Sequence, residues 1–213
     1  FPFSFKEFLR FKNKELTANE TKIEGFYYIT HGGYPETLVK KLDSKEYLST
    51  LFGSVVYKDI IKRFRVRSVQ SIEDLAIYLI SNVAKEFSYN TLAKVTKCSS
   101  VHTVEKYLGY LEEAFILFRL NRFSLKVREQ IASNKKIYCI DNGLIISKAF
   151  QINQDIGRLY ENAVAIVLKK METNNIAKVY YWKNVQNEEV DFVIKRGLKI
   201  SHLIQVCYNI DMI

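Results

Sequence analysis

The spacing of apolar residues divides the chain into three stretches of different character. Over residues 1 to 66 the period is helical: Leu48, Leu51, Phe52, Val55, Val56 and Ile60 recur at three- and four-residue intervals, which marks one buried face. Ahead of them, His31-Gly32-Gly33-Tyr34-Pro35 predicts a turn, because paired glycines and a proline interrupt regular structure. Residues 68 to 125 carry the clearest local order. Ser71 with Asp74 three residues on predicts a variant capping box, and Ile72, Leu75, Ala76, Leu79, Ile80 and Val83 give its helix an apolar face. A short helix from about Ser88 is expected to pack through Leu92 and Val95. After a turn at Lys97-Cys98-Ser99-Ser100, a third helix is expected to bury Val101, Val104, Leu108, Leu111 and Phe115. Helix, short helix, tight turn, longer helix is the helix-turn-helix order. Residues 115–120 and 137–140 then read as a strand pair, and together these elements predict a winged helix over residues 67–150.

From about residue 151 the pattern changes. Residues 157–171 predict a helix with Tyr160, Ala163, Val164, Val167, Leu168 and Met171 inward, followed by strands at 179–182, 189–195 and 203–208. The last two strands are joined around Gly197, a hairpin signal. If the connecting loop has an odd number of residues centred on Leu198, Asp191 faces Gln205 across the pair and Cys207 points the same way. The fold class expected is α+β.

Composition narrows the function. Hydrophobic residues at 48% and charged residues at 26% indicate a globular chain. A formal charge of +9 makes a polyanion, by default DNA, the expected partner. The positive charge is clustered. Lys58, Lys62, Arg63, Arg65 and Arg67 face only Asp59. Between the paired strands, Arg122, Lys126, Arg128, Lys135 and Lys136 face only Glu129. In a DNA-binding winged helix the N-terminal part of the third helix enters the major groove and the wing meets phosphates. The candidate contacts are therefore Ser100, His102, Thr103 and Lys106 on the helix, with Arg122, Lys126 and Arg128 on the wing. Glu105, Glu112 and Glu113 on the same helix would oppose DNA wherever they face it. Cys98, Cys139 and Cys207 form no CxxC pair, so neither a zinc site nor a disulfide framework is expected, and the thiols read as reduced and cytoplasmic. No apolar run approaches a membrane span and no signal peptide is visible. There is no GxxxxGK(S/T) phosphate loop, so no ATP site is expected in this chain.

Several stretches together carry a resemblance: Phe3-Ser4-Phe5-Lys6-Glu7-Phe8-Leu9, Gly32-Gly33-Tyr34-Pro35-Glu36, Asp59-Ile60-Ile61-Lys62-Arg63, the run from Tyr107 to Ala114, the run from Lys136 to Gly143, Gly157-Arg158-Leu159-Tyr160-Glu161-Asn162, the run from Glu189 to Ile194, and Ile204-Gln205-Val206-Cys207-Tyr208. In this order they resemble the C-terminal half of archaeal and bacterial AAA-family ATPases whose tail domain looks like the PD-(D/E)xK, restriction-endonuclease-like fold. The resemblance implies three parts. Residues 1–66 would link to an upstream ATPase core that binds ATP and Mg²⁺, 67–150 would be the winged helix, and 151–213 a truncated nuclease-like α/β domain ending at Asn209-Ile210-Asp211-Met212-Ile213. Its truncated sheet would leave an edge strand open to pairing, as in a homo-oligomer.

The resemblance also implies a catalytic set: Glu161 as the helix acid, Asp191 as the central acid, and Gln205-Val206-Cys207 at the (D/E)xK step. Such nucleases use hard carboxylate oxygens to hold Mg²⁺, which polarises the phosphate and activates water. Here Gln205 replaces an acid and Cys207 the lysine, which removes one charged ligand and one fixed positive charge. The expectation is a DNA-binding accessory region with a degenerate nuclease-like site, at which Glu161 and Asp191 persist as weak metal ligands. The alternatives are a protein-interaction module that couples an ATPase to a partner, and an active Mg²⁺-dependent nuclease.

Overall fold

A computed structural model describes residues 1–12, 16–149 and 155–208. The expected boundary at 150/151 and the terminal segment 209–213 lie outside the described residues.

The N-terminal region is helical, as its periodicity predicts. Helix α1 spans Phe5–Lys12, α2 Ala18–His31, α3 Pro35–Val39 and α4 Ser44–Val55. Helix α2 starts on a complete capping box between Thr17 and Glu20, and the Asp43 carboxylate caps α4 by accepting the Glu46 N–H at 2.7 Å. The continuous helix expected through Ile60 is instead two pieces, because α4 runs into a π-helical segment, Val56–Lys62. The wider turn brings Ile60 and its neighbour Ile61 both to the buried side. The predicted turn at Gly32-Gly33 is present. Gly32 has φ +82°, and a Cβ there would lie 2.1 Å from Asp141 Oδ1, so this position requires glycine on both counts.

The middle region runs α5 (Val69–Ser81), β1 (Glu86–Phe87), α6 (Tyr89–Val95), α7 (Val101–Glu113), β2 (Leu117–Asn121), α8 (Val127–Ala132) and β3 (Lys135–Cys139). The three strands form an antiparallel sheet in the order β1-β3-β2. Ser88 and Ser100 cap α6 and α7 through the N–H groups of Thr91 and Thr103. Several details depart from the periodic reading. Helix α5 begins three residues before Asp74 would require, so Ser71 is buried within it and accepts a hydrogen bond from Ser68 Oγ, rather than capping. Val95 and Phe115 are exposed, since each sits at or beyond its helix's end, and Phe115 takes a left-handed φ of +56°.

The segment between β2 and β3 is no simple basic ribbon, because it contains α8. Lys135 and Lys136, expected among its exposed cations, are both buried. The Lys135 ammonium donates to the carbonyls of Gln130, Ile131 and Ser133 at 2.8, 3.0 and 2.6 Å, closing the C-terminal end of α8, where a cation is electrostatically favoured.

The last region comprises α9 (Asn142–Lys148), α10 (Ile156–Thr173), β4 (Lys178–Lys183), β5 (Glu189–Arg196) and β6 (Lys199–Ile204). A second antiparallel sheet has the order β4-β5-β6, leaving β6 at its edge. The third strand starts earlier than expected, and the β5–β6 loop is an even, two-residue turn with Gly197 at φ +58°. One bulge between Ile194 and Lys195 then restores the offset, so that Phe192 faces Ile204. Continuing that register places Asp191 opposite Gln205, where an odd loop would also have put it. Helix α10 buries Leu159, Asn162, Ala165 and Leu168. Tyr160, Ala163, Val164 and Val167, expected inward, line an open apolar groove against α2. The two sheets meet where Arg122 bridges Tyr181 and the Phe123 N–H donates to the Tyr181 carbonyl at 2.6 Å. Among the described residues one apolar cluster runs continuously from Ile29 to Ile194, and no helix is long and apolar enough to cross a membrane.

Candidate functional site

A buried polar junction holds the three regions in place. The Asn162 amide accepts the Cys139 N–H at 2.8 Å and donates to the Cys139 carbonyl at 3.0 Å. On the same flank of β3, Ile137 pairs with Ala84 and Lys85. Asn162 therefore continues the hydrogen-bond ladder beyond the reach of β1. The same amide donates to Asn142 Oδ1 at 2.8 Å, and Asn142 in turn donates to the carbonyls of Ile29 and Leu159 at 2.8 and 2.9 Å. Next to it, the Asp141 carboxylate accepts the Gly33 and Gly143 N–H groups at 2.7 and 2.8 Å. Burial pushes this carboxyl up to about 7, against the pull of those N–H donors. The periodic reading missed Asp141, Asn142 and Asn162. Polar residues inside apolar runs were the available signal.

This scaffold positions a carboxylate cluster. Glu161 projects from α10, and Glu189 and Asp191 project from β5. All three converge on the Lys136 ammonium, which arrives from β3. Nζ lies 2.9 Å from Glu161 Oε1 and 3.3 Å from Asp191 Oδ1, and also pairs with Glu189. The Tyr138 hydroxyl donates to Glu161 Oε1 at 2.7 Å, and the Val206 N–H donates to Asp191 Oδ2 at 2.9 Å. Gln205 Oε1 faces the Asp191 N–H at 3.3 Å. The structure thus brings Glu161, Asp191 and Gln205 together, leaves Cys207 exposed, and adds Lys136, Glu189 and Tyr138. Burial opposes the charge on Lys136, but Glu161 and Glu189 outweigh it and raise the ammonium to about 12. Glu161 is nevertheless raised too: burial lifts it, Lys136 pulls it back, and Asp191 lifts it again. The two shifts agree once one cation is seen to serve three anions. Among the described residues, no group of three His, Cys, Asp or Glu side chains is disposed to hold a metal ion.

A second feature is a cleft of about 480 Å³ where the chain leaving the π-helical segment meets the start of α7. Arg65, Arg67, Lys97 and Lys106 line it with the hydroxyl-bearing Ser99 and Thr103, and none of the described lining residues is acidic. Of the helix residues expected to contact DNA, Thr103 and Lys106 line this cleft. Ser100 is the α7 cap and His102 is exposed beside it. Two of the three acids on α7 are neutralised at its far end, Glu112 by Arg119 at 3.2 Å and Glu113 by Arg63 at 2.7 Å. The cations expected on a wing do not join this group. Arg122 and Lys126 line a separate depression with Trp182, where the Arg122 guanidinium donates to the Lys183 carbonyl and Lys126 pairs with Glu129 at 3.0 Å. Arg128 is exposed and lines neither.

The profile of a domain of unknown function, DUF8612, matches residues 25–155, more than half of the 213-residue chain. The chain belongs to this family. A second profile, that of the domain of unknown function DUF4143, matches residues 156–210, so the DUF8612 and DUF4143 regions meet just before α10. The chain is 34% identical to an uncharacterized protein of Methanocaldococcus jannaschii over 227 residues, covering 99% of this chain and 49% of that protein. It is 28% identical to an uncharacterized protein of Haemophilus influenzae over 218 residues, covering 99% and 52%. The chain spans about half the length of the curated relatives it matches. No solved structure matches it. The carboxylate cluster straddles the DUF8612–DUF4143 junction, with Lys136 on one side and Glu161, Glu189 and Asp191 on the other.

Proposed function

We propose that this chain is the DNA-binding, non-ATPase portion of an AAA-family ATPase, with a winged helix in the DUF8612 region and a degenerate nuclease-like unit in the DUF4143 region. The observation that carries DNA binding is the acid-free cleft with four cations at the N-terminal end of α7. There, guanidinium, ammonium and hydroxyl groups and the positive end of a helix all favour phosphate. The order α5-β1-α6-α7-β2-α8-β3 with the sheet order β1-β3-β2 supports the winged-helix reading, in which α7 is the recognition helix and α8 is inserted between the wing strands. Arg65, Arg67, Lys97 and Lys106 are the phosphate contacts of this reading, and Thr103 and His102 the residues nearest base edges. The greater length of the relatives leaves room for an ATPase core outside the matched half.

The test is duplex DNA binding by fluorescence anisotropy across a salt series. Four phosphate contacts give a slope of log K against log salt of roughly −3.6, and Arg67→Ala with Lys106→Ala should flatten it by about 2. Arg122→Ala should leave it unchanged, because that guanidinium lines a separate depression and not the cleft. Absent binding at low salt, or binding indifferent to both salt and these variants, would refute the proposal and leave the protein-interaction reading.

A further inference from the structure

The nuclease-like resemblance implies Mg²⁺ at Glu161 and Asp191, and the donor set around them does not fit it. A divalent ion of this kind needs near-octahedral oxygen ligands at about 2.0–2.1 Å. At the point where the three carboxylates converge sits the Lys136 ammonium instead, buried and in contact with all three. The other donors are also engaged elsewhere. Asp191 Oδ2 takes the Val206 N–H, and the Gln205 carbonyl oxygen is turned to the Asp191 N–H. The lysine missing from the Cys207 position has thus not simply been lost. A different lysine, from another strand and the other family region, occupies the cation's place.

We propose that Lys136 is the resident cation of this carboxylate cluster, taking the position of a divalent metal and clasping the DUF4143 region to β3. The inference stands apart from the DNA-binding proposal, since the cleft at α7 shares no residue with the cluster. Its physical basis is charge. Three carboxylates on two elements repel one another in a largely buried site, and without a cation between them the packing of α10 and β5 against β3 is weakened. An ammonium carries one charge and donates three hydrogen bonds, one for each carboxylate. It is covalently held, so it needs no exchange with solvent. The clasp extends through Lys183, which lies 3.6 Å from Glu189 and 3.2 Å from Glu86 on β1. Removing the ammonium frees Glu161 Oε1, Glu189 Oε1 and Asp191 Oδ1, which a soluble divalent cation can then draw together.

Thermal unfolding in EDTA and in millimolar Mn²⁺ tests this on the full chain. The wild type should melt at the same temperature in both. Lys136→Ala should melt roughly 10 °C lower in EDTA, the scale of breaking a buried ion pair in a chain of this size. It should regain stability saturably with Mn²⁺, and the added change Asp191→Asn should abolish that response. A wild-type chain that itself shows a saturable Mn²⁺-dependent rise overturns the proposal, as does a Lys136→Ala variant that either melts like wild type or ignores Mn²⁺. Should Lys136→Ala not fold, Lys136→Met combined with Glu189→Gln and Asp191→Asn decides the matter. Recovered folding upholds charge compensation by Lys136, and failure to recover refutes it.

Discussion

Asn162 offers the sharpest test of how the three regions are joined. It is fully buried on α10 and makes three hydrogen bonds, two to the Cys139 backbone and one to Asn142. Asn162→Leu keeps the volume and adds apolar surface but strands the Cys139 N–H and C=O on the flank that β1 does not reach. The two orphaned backbone groups and the orphaned Asn142 oxygen together cost about 3–9 kcal/mol. Burying the leucine side chain returns about 2 kcal/mol, so the net loss should be about 1–7 kcal/mol. Urea unfolding followed by far-UV circular dichroism reads this directly. With a slope of about 2 kcal/mol/M, the midpoint should fall by about 0.5–3.5 M with the slope unchanged. A loss under about 1 kcal/mol would refute the reasoning.

Two further outcomes follow from buried groups. Asp141 has a folded value of about 7 against an ordinary 3.8, raised by burial. The folded state therefore binds the proton more tightly, and the contribution of this group to stability is full below about pH 4 and lost as pH rises to about 7. The difference in melting temperature between wild type and Asp141→Asn should narrow over that range, because the asparagine cannot ionise; a constant difference would sink the assignment. Cysteine labelling should also be ordered. The exposed Cys207 reacts first under native conditions. Cys139, buried and pushed up to about 12 chiefly by that burial, should react only on unfolding, and native labelling there would contradict the packing of β3 against α10.

The elements were largely legible in the chain and their partners were not. Periodicity located α4, α5, α7 and α10, and serine placement located the start of α6, because both signals act within one or two helical turns. The same logic failed at Ser71, where Ser68 stands at the helix boundary, and on α10, which carries apolar residues on two sides. There the side with Asn162 packs inward, because Cys139 and Asn142 offer that amide partners that Tyr160 and Val164 could not satisfy. The facing of Asp191 and Gln205 emerged through a different route from the odd loop expected, a two-residue turn plus a bulge.

Local sequence determined which segments are helix and strand, the positive charge gathered before α5 and at α7, and the presence of two acids and a glutamine at spacings that permit a shared pocket. Only the tertiary structure decided that Lys136 is buried among carboxylates rather than exposed on a basic ribbon, and that Arg122 serves the backbone of Lys183. A lysine's neighbours within a strand say nothing about an acid 25 or 55 residues away, the separations at which Lys136 meets Glu161 and Asp191. Whether a charged side chain faces water or a counter-charge depends on which elements pack against its strand, and that is settled by the whole core at once.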